Sequence, residues 1–187
     1  MDNKLQRRAF MKGAAAGALT ISIGGKDVFL AARAAHAQAA PFRIFSADEA
    51  GTIEALGETL VPGARSAGVA HFVDHQLSLA PSEALLEARI LNIRPPFADF
   101  YRSAIGAINR VSQARHGLRF AQLTADQQHE VVDLMRQARL DGWQGPPGPL
   151  VYVVTRSDAV DVVYGTMEGY AALGIPYMPH IAPKQRW

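Results

Sequence analysis

Cysteine is absent from the 187 residues of this chain. The chain therefore cannot form disulfides, thiolate-ligated zinc sites or iron–sulfur clusters, and it cannot attach haem through a C-x-x-C-H motif. Two other patterns are also missing: no G-x-G-x-x-G opens a strand–helix unit, and no G-x-S-x-G marks a hydrolase nucleophile. We therefore predict no catalytic residue and no cofactor-binding residue in this chain.

Lysine is scarce in the rest of the chain: after the N-terminal region, Lys184 is the only lysine. The whole chain has 19 Lys+Arg and 17 Asp+Glu, which gives a net charge of +2. Residues 1–37 hold six of these bases and two of the acids, so the chain from Gln38 onward has 13 bases and 15 acids and a net charge of −2. Nucleic-acid binding needs basic side chains clustered on one face. We expect no nucleic-acid partner.

An adjacent arginine pair lies close to the N-terminus. Arg7 and Arg8 are followed by Phe10 and Lys12 in the pattern R-R-x-F-M-K, and weakly apolar segments rich in Ala and Gly come next. This pattern is typical of a twin-arginine export signal. It predicts that the protein is exported to the periplasm by the twin-arginine translocon.

Small residues near the end of this segment predict where it is removed. Alanines at positions 35 and 37 suit the −3 and −1 pockets of a signal peptidase, so we predict cleavage after Ala37, with cleavage after Ala39 as the alternative. An uncleaved membrane anchor is the other alternative, but a spanning helix needs roughly 20 consecutive apolar residues. The residues that interrupt such a window are Lys26, Asp27 and Arg33. We therefore predict a signal peptide over residues 1–37.

Residues 38–187 have the pattern of one small helical domain. S-x-x-E at 46–49 and T-x-x-Q at 124–127 are capping boxes, which start helices. Apolar residues at spacings of three and four predict further helices over 69–79 and 97–116, and Gly117 is a typical C-terminal stop for the latter. We expect the helices that begin near 97 and 124 to form an antiparallel pair.

The segment 150–164 is ambiguous. Its run of valines favours a strand by propensity, but its apolar positions also fit one face of a helix. A single strand would have no sheet to join, so we favour the helix. From Gly165 onward, glycines and prolines predict an irregular, extended tail. The predicted fold is mainly α, a small helical domain over 38–187 with an extended Gly/Pro/aromatic tail over 165–187.

Two histidines are weak candidates for metal ligands. His71 and His75 are four residues apart, a spacing that puts both on one helical face. Asp74 would point about 100° away from His75 around that helix, and the glutamate of an H-E-x-x-H motif is missing. Histidines at the surface or at an interface are the simpler interpretation, and we expect no metal.

Aromatic residues gather toward the C-terminus, among glycines and prolines. Ordinary packing is one interpretation. The other is a surface that contacts a partner, because aromatic side chains supply a large contact area there. The candidates are Trp143, Tyr164, Tyr170, Tyr177 and Trp187.

Four groups of short motifs follow one another in a characteristic order. The first lies over 45–63, the second over 67–77 and the third over 120–127, and a Tyr-Gly…Gly-aromatic…Gly-x-Pro pattern covers 163–176. In order and spacing they resemble the gluconate 2-dehydrogenase subunit 3 family. The likeness spans most of the chain beyond residue 38.

The resemblance implies a small, non-catalytic subunit that acts in assembly of a dehydrogenase complex. It implies a large partner, an FAD-dependent flavoprotein of the glucose–methanol–choline (GMC) oxidoreductase type, and a cytochrome c that carries haem c as a third subunit. FAD would then be bound by the partner, which oxidises an alcohol, sugar or sugar acid. The small subunit would carry the partner through the twin-arginine (Tat) translocon, and the complex would lie at the periplasmic face of the membrane.

Two other functions remain open at this point. One is a stand-alone periplasmic metal-binding protein that uses His71 and His75. The other is an enzyme of unrecognised type. A flavoprotein gene without a signal next to the gene for this chain would favour the accessory subunit.

Overall fold

The structure is a computed structural model, and it describes residues 18–23 and 26–175. Some residues singled out above lie outside the described residues, namely Arg7, Arg8, Phe10, Lys12, Tyr177 and Trp187. The elements are strands β1 (Ala18–Ile23) and β2 (Lys26–Ala31), helices α1 (Ala32–Ala37), α2 (Ala47–Leu60), α3 (Ala64–Ala67), α4 (Val69–Leu77), α5 (Glu87–Ile90), α6 (Phe97–His116), α7 (Ala125–Arg136), α8 (Gly148–Tyr164) and α9 (Met167–Ala172), and a 3-10 turn over Phe120–Gln122. The prediction of a mainly α fold is confirmed.

Local sequence signals place the helix ends. The Ser46 hydroxyl accepts the Glu49 N–H at 3.2 Å, and the Glu49 carboxylate accepts the Ser46 N–H at 2.8 Å. The second capping box, at the start of α7, has both of its reciprocal bonds as well. Gly117 ends α6 in the left-handed conformation, with φ of 73°. These short-range predictions are confirmed, because each depends on groups within one helical turn.

The ambiguous segment is helix α8, and it lies at the centre of the domain. It packs against α2, α3, α4, α5 and α7. Its buried face carries Val151, Val154 and Val162 but also the polar residues Thr155 and Asp158. The polar residues on the inner face weaken the apolar periodicity of α8, which is why the sequence pattern left this helix undecided.

Helix α2 is the shared partner of α6 and α7. Both helices pack against α2, and α7 also packs against α8. Between α6 and α7 themselves, Arg115 donates from Nε to the Glu130 carboxylate at 2.9 Å. The helices of the predicted antiparallel pair therefore have little direct packing on each other, because α6 packs on α2 and α7 packs on both α2 and α8.

The hydrophobic core forms between these helices. Its largest fully buried side chains are Tyr101, Phe120, Leu86, Ile108 and Met135. Burial of such a side chain contributes about 1.5–3 kcal/mol each. A chain without cysteine depends on this packing for its stability.

The segment before residue 38 joins this core. Strands β1 and β2 pair antiparallel, with Ala18 opposite Ala31, and α1 follows directly. Ala35 on α1 is fully buried, and α1 packs against α3 and α4. Gly68 makes this approach possible, because a Cβ there would lie 2.1 Å from the Ala32 carbonyl oxygen. The structure thus joins the end of the predicted signal peptide to the domain, while cleavage after Ala37 stays a prediction.

The C-terminal segment starts as a helix. The Thr166 hydroxyl accepts the Gly169 N–H at 3.0 Å and caps α9. The prediction of an irregular tail from Gly165 onward is therefore wrong for α9, while 176–187 lies outside the described residues. Within the part of the chain that the structure describes, no helix has the length and apolar character needed to cross a membrane.

Candidate functional site

Helix α4 carries His71 into the interior, where its side chain is only 5% exposed. Its Nε2 lies 3.0 Å from the Ala40 carbonyl oxygen and must donate there, because a carbonyl only accepts. The Phe42 ring packs on the imidazole with 4.4 Å between ring centroids. Burial lowers the pKa of His71, so its neutral form is favoured. The Nδ1 atom then has a lone pair, and it is buried without a hydrogen-bond partner.

Two further side chains come from other elements to the same place. His36 from α1 places its Nδ1 3.2 Å from Oε1 of Glu54, which α2 contributes. The His36 and His71 rings meet edge to face, with centroids 6.0 Å apart. A nitrogen of each histidine and a carboxylate oxygen of Glu54 all lie within 4.8 Å of one another. We name these three residues the histidine cluster; His75, the other sequence candidate, is not a member of it.

Asp74, next to these histidines in sequence, has a different role. Its carboxylate is buried and accepts three backbone N–H groups, from Arg43 at 2.8 Å, Ile44 at 2.9 Å and Phe45 at 2.8 Å. These bonds hold the segment that leads into α2. A carboxylate has enough lone pairs for all three donors, which explains why aspartate stands at this position.

A second buried carboxylate belongs to Asp158 on α8. It accepts the Tyr101 hydroxyl at 2.5 Å and the Glu87 backbone N–H at 3.0 Å. Burial raises the pKa of Asp158 to about 7, although both hydrogen bonds act in the opposite direction. The cavity beside it is about 10 Å³, room for one water molecule and far too small for a sugar. We therefore assign the pair of Asp158 and Tyr101 a structural role.

The aromatic candidates do not share one environment. The Trp143 indole N–H donates to the Pro146 carbonyl oxygen at 2.7 Å, and its ring packs partly buried against the core. Tyr164 at the end of α8 is 37% exposed, and Tyr170 on α9 is half-buried. Among the described candidates, Tyr164 is therefore the residue with the largest exposed fraction. The partner contacts of all of them stay predictions.

Exposed aliphatic side chains, which the sequence analysis did not single out, flank α8. The α5 patch consists of Leu85, Ile90 and Leu91, exposed by 52%, 61% and 42%. Leu173 and Ile175, which follow α9 in the chain, are 53% and 50% exposed. Several large apolar side chains exposed together are typical of surfaces that a partner covers. A repeating apolar pattern could not reveal them, because they lie in short helices and turns.

Comparison with protein families gives a match over most of the chain. The model of the family described as Gluconate 2-dehydrogenase subunit 3 matches residues 47–180. The matched segment begins at the first residue of α2 and includes every later helix of the described chain. Comparisons with curated proteins and with solved structures gave no significant match.

Proposed function

Since the chain belongs to the gluconate 2-dehydrogenase subunit 3 family, we propose that it is the non-catalytic accessory subunit of a periplasmic dehydrogenase complex. The catalytic partner is an FAD-dependent flavoprotein of the GMC type that oxidises an alcohol, sugar or sugar acid. FAD stays with that partner, and a cytochrome c subunit with haem c or a quinone accepts the electrons. The family match over 47–180 is the observation that carries this proposal.

The export signal supports a role in co-export. The arginine pair at Arg7 and Arg8 is typical of the pathway that moves folded proteins, which suits a partner that must bind FAD before it leaves the cytoplasm. This chain itself shows no pattern for a cofactor that would need such a route. We therefore propose that the small subunit carries the large one through the Tat translocon, and that the complex associates with the membrane through its other subunits.

The α5 patch is our candidate for the surface that binds the flavoprotein. Leu85 and Ile90 expose more than half of their side chains. A partner that covers the exposed half of such a side chain contributes about half of the ~1.5–3 kcal/mol for full burial. The two together therefore suffice for a change of more than tenfold in affinity.

Co-purification tests this function. The full-length chain, tagged at its C-terminus, is expressed with the neighbouring flavoprotein gene of its native host and purified, and the bound flavin is measured by its visible absorbance. We expect a stable complex that contains FAD and oxidises a sugar or sugar acid. A tagged chain that is recovered folded but without any flavoprotein would contradict the proposal.

A pair of variants tests the surface. Leu85→Ser with Ile90→Ser should lower the amount of co-purified flavoprotein at least tenfold. Leu118→Ser is the matched control, because Leu118 is also an exposed leucine, 44% exposed, but lies in the turn after α6. Equal losses in both variants, or no loss in the double variant, would contradict a binding surface at α5.

A further inference from the structure

The histidine cluster joins three parts of the chain that are distant in sequence. His36 is the fifth residue of α1, Glu54 lies in α2 and His71 in α4. The structure gives these residues two nitrogens and one carboxylate oxygen within 4.8 Å of one another. From this geometry we infer that His36, Glu54 and His71 bind a zinc ion.

The hydrogen bond of His71 leaves one of its ring nitrogens available to a metal ion. Its Nε2–H donates to the Ala40 carbonyl, which fixes the tautomer and leaves the lone pair on Nδ1. Bound histidines in proteins commonly have this type of support, a carbonyl or carboxylate on the ring nitrogen that faces away from the metal. Nδ1 is buried and has no hydrogen-bond partner. A buried acceptor without a partner is costly, and a bound cation would satisfy it.

The distances fit zinc with a small adjustment. Zinc–nitrogen and zinc–oxygen bonds of about 2.0–2.2 Å put two ligands of a tetrahedral site about 3.4 Å apart. His36 Nδ1 and Glu54 Oε1 are 3.2 Å apart, and no pair of ligand atoms is more than 4.8 Å apart. A small movement of the His36 side chain would shorten the longer separations toward about 3.4 Å. This side chain can move because it is 30% exposed.

Two histidines and one glutamate leave one of four zinc positions open. Sites with three protein ligands hold water in the fourth position. The partial exposure of His36 and Glu54, 30% and 20%, gives water access to that position. The donor set is nitrogen-rich, which favours zinc over magnesium, a cation that prefers oxygen ligands.

The position of His36 links the site to the export signal. His36 lies just before the predicted cleavage point after Ala37, so a chain cut there loses one ligand. Zinc would thus hold the end of the signal segment against α2 and α4 as long as that segment is attached. The site does not depend on the proposed role as an accessory subunit.

Titration of the metal-free, full-length chain with zinc chloride tests the site. We expect one zinc per chain by calorimetry. His36→Ala and His71→Ala should each weaken binding more than about 100-fold, since loss of a ligand exceeds the 10–100-fold effect of losing a supporting contact. A chain that begins at Gln38 should be weakened like His36→Ala. Magnesium chloride should give no binding heat.

His75→Ala is the matched control, because it removes a histidine of the same helix that is not in the cluster, and its zinc affinity should stay unchanged. Circular dichroism checks that each variant keeps its helices. If His71→Ala fails to fold, His36→Ala and Glu54→Gln carry the test, since both side chains are partly exposed. Absence of zinc binding to the full-length chain, or an affinity that none of the three substitutions lowers, would overturn the proposal.

Discussion

Replacement of Asp158 by asparagine should remove a large part of the pH dependence of stability. Burial raises the pKa of Asp158 from 3.8 to about 7 in the folded protein. The folded state therefore binds this proton more tightly than the unfolded state does between those two pH values. It follows that Asp158 lowers the free energy of unfolding as pH rises from about 4 to about 7, and that its effect is constant above pH 7.

The size of this effect follows from the pKa difference. One pKa unit corresponds to about 1.4 kcal/mol, so the full shift corresponds to a loss on the order of 4 kcal/mol across this window. Asparagine keeps the size of the side chain without the charge. Like the protonated carboxyl, asparagine has one carbonyl oxygen, and its NH2 group stands where the carboxyl has its hydroxyl, next to the Tyr101 oxygen and the Glu87 N–H. Near pH 4, where Asp158 is protonated, Asp158→Asn should therefore be about as stable as the wild-type protein.

Above pH 7 the variant should be the more stable protein, because the wild-type protein then holds a buried charge that the variant lacks. Urea unfolding of both full-length proteins, followed by circular dichroism at several values between pH 4 and pH 8, measures this difference. Asp133→Asn is the control, since Asp133 is an exposed partner of Arg136 and should leave the slope unchanged. A slope in Asp158→Asn equal to that of the wild type would refute the reasoning.

Two further substitutions test how the N-terminal segment is held. Asp74→Asn leaves one carbonyl oxygen for three backbone donors, so the free energy of unfolding should fall by about 2–4 kcal/mol, measured in urea at pH 7. Asp99→Asn, on the surface of α6, is the control and should change the free energy of unfolding by less than about 0.5 kcal/mol. Equal effects of the two substitutions would contradict the role of Asp74 in holding the segment that leads into α2. Gly68→Ala puts a Cβ 2.1 Å from the Ala32 carbonyl at a φ of +85°, so we expect α1 to be displaced and 32–37 to become sensitive to protease. Gly51→Ala meets no atom within 4 Å and should show no such change.

The ends of several helices were the part of the fold that the sequence could predict, because local signals mark them. The capping boxes at Ser46 and Thr124 and the stop at Gly117 each depend on neighbours within one turn, and all three are confirmed. Helix α8 was harder, because Thr155 and Asp158 interrupt its buried face. The hydrogen-bond partners of Asp158 are Tyr101 and Glu87, which lie more than 50 residues away and which no local pattern contains.

The candidate sites depended even more on tertiary structure. The spacing of His71 and His75 pointed to a helical pair, but the partners of His71 come from α1 and α2. A spacing rule cannot bring His36 into this group, because it lies 35 residues before His71 in a segment that is typical of an export signal. Exposure of Leu85 and Ile90 is likewise a tertiary property, since leucine and isoleucine are found most often in the core.

The central claim is that this subunit carries the flavoprotein out of the cytoplasm. Arg7→Lys with Arg8→Lys tests it most directly, with Lys4→Arg as the control outside the motif. Flavoprotein amount and dehydrogenase activity are measured in cytoplasmic and periplasmic fractions of cells that express both subunits. Both subunits should stay in the cytoplasm in the double variant and reach the periplasm in the control. Flavoprotein activity that reaches the periplasm at the wild-type level with Arg7→Lys and Arg8→Lys would contradict the claim.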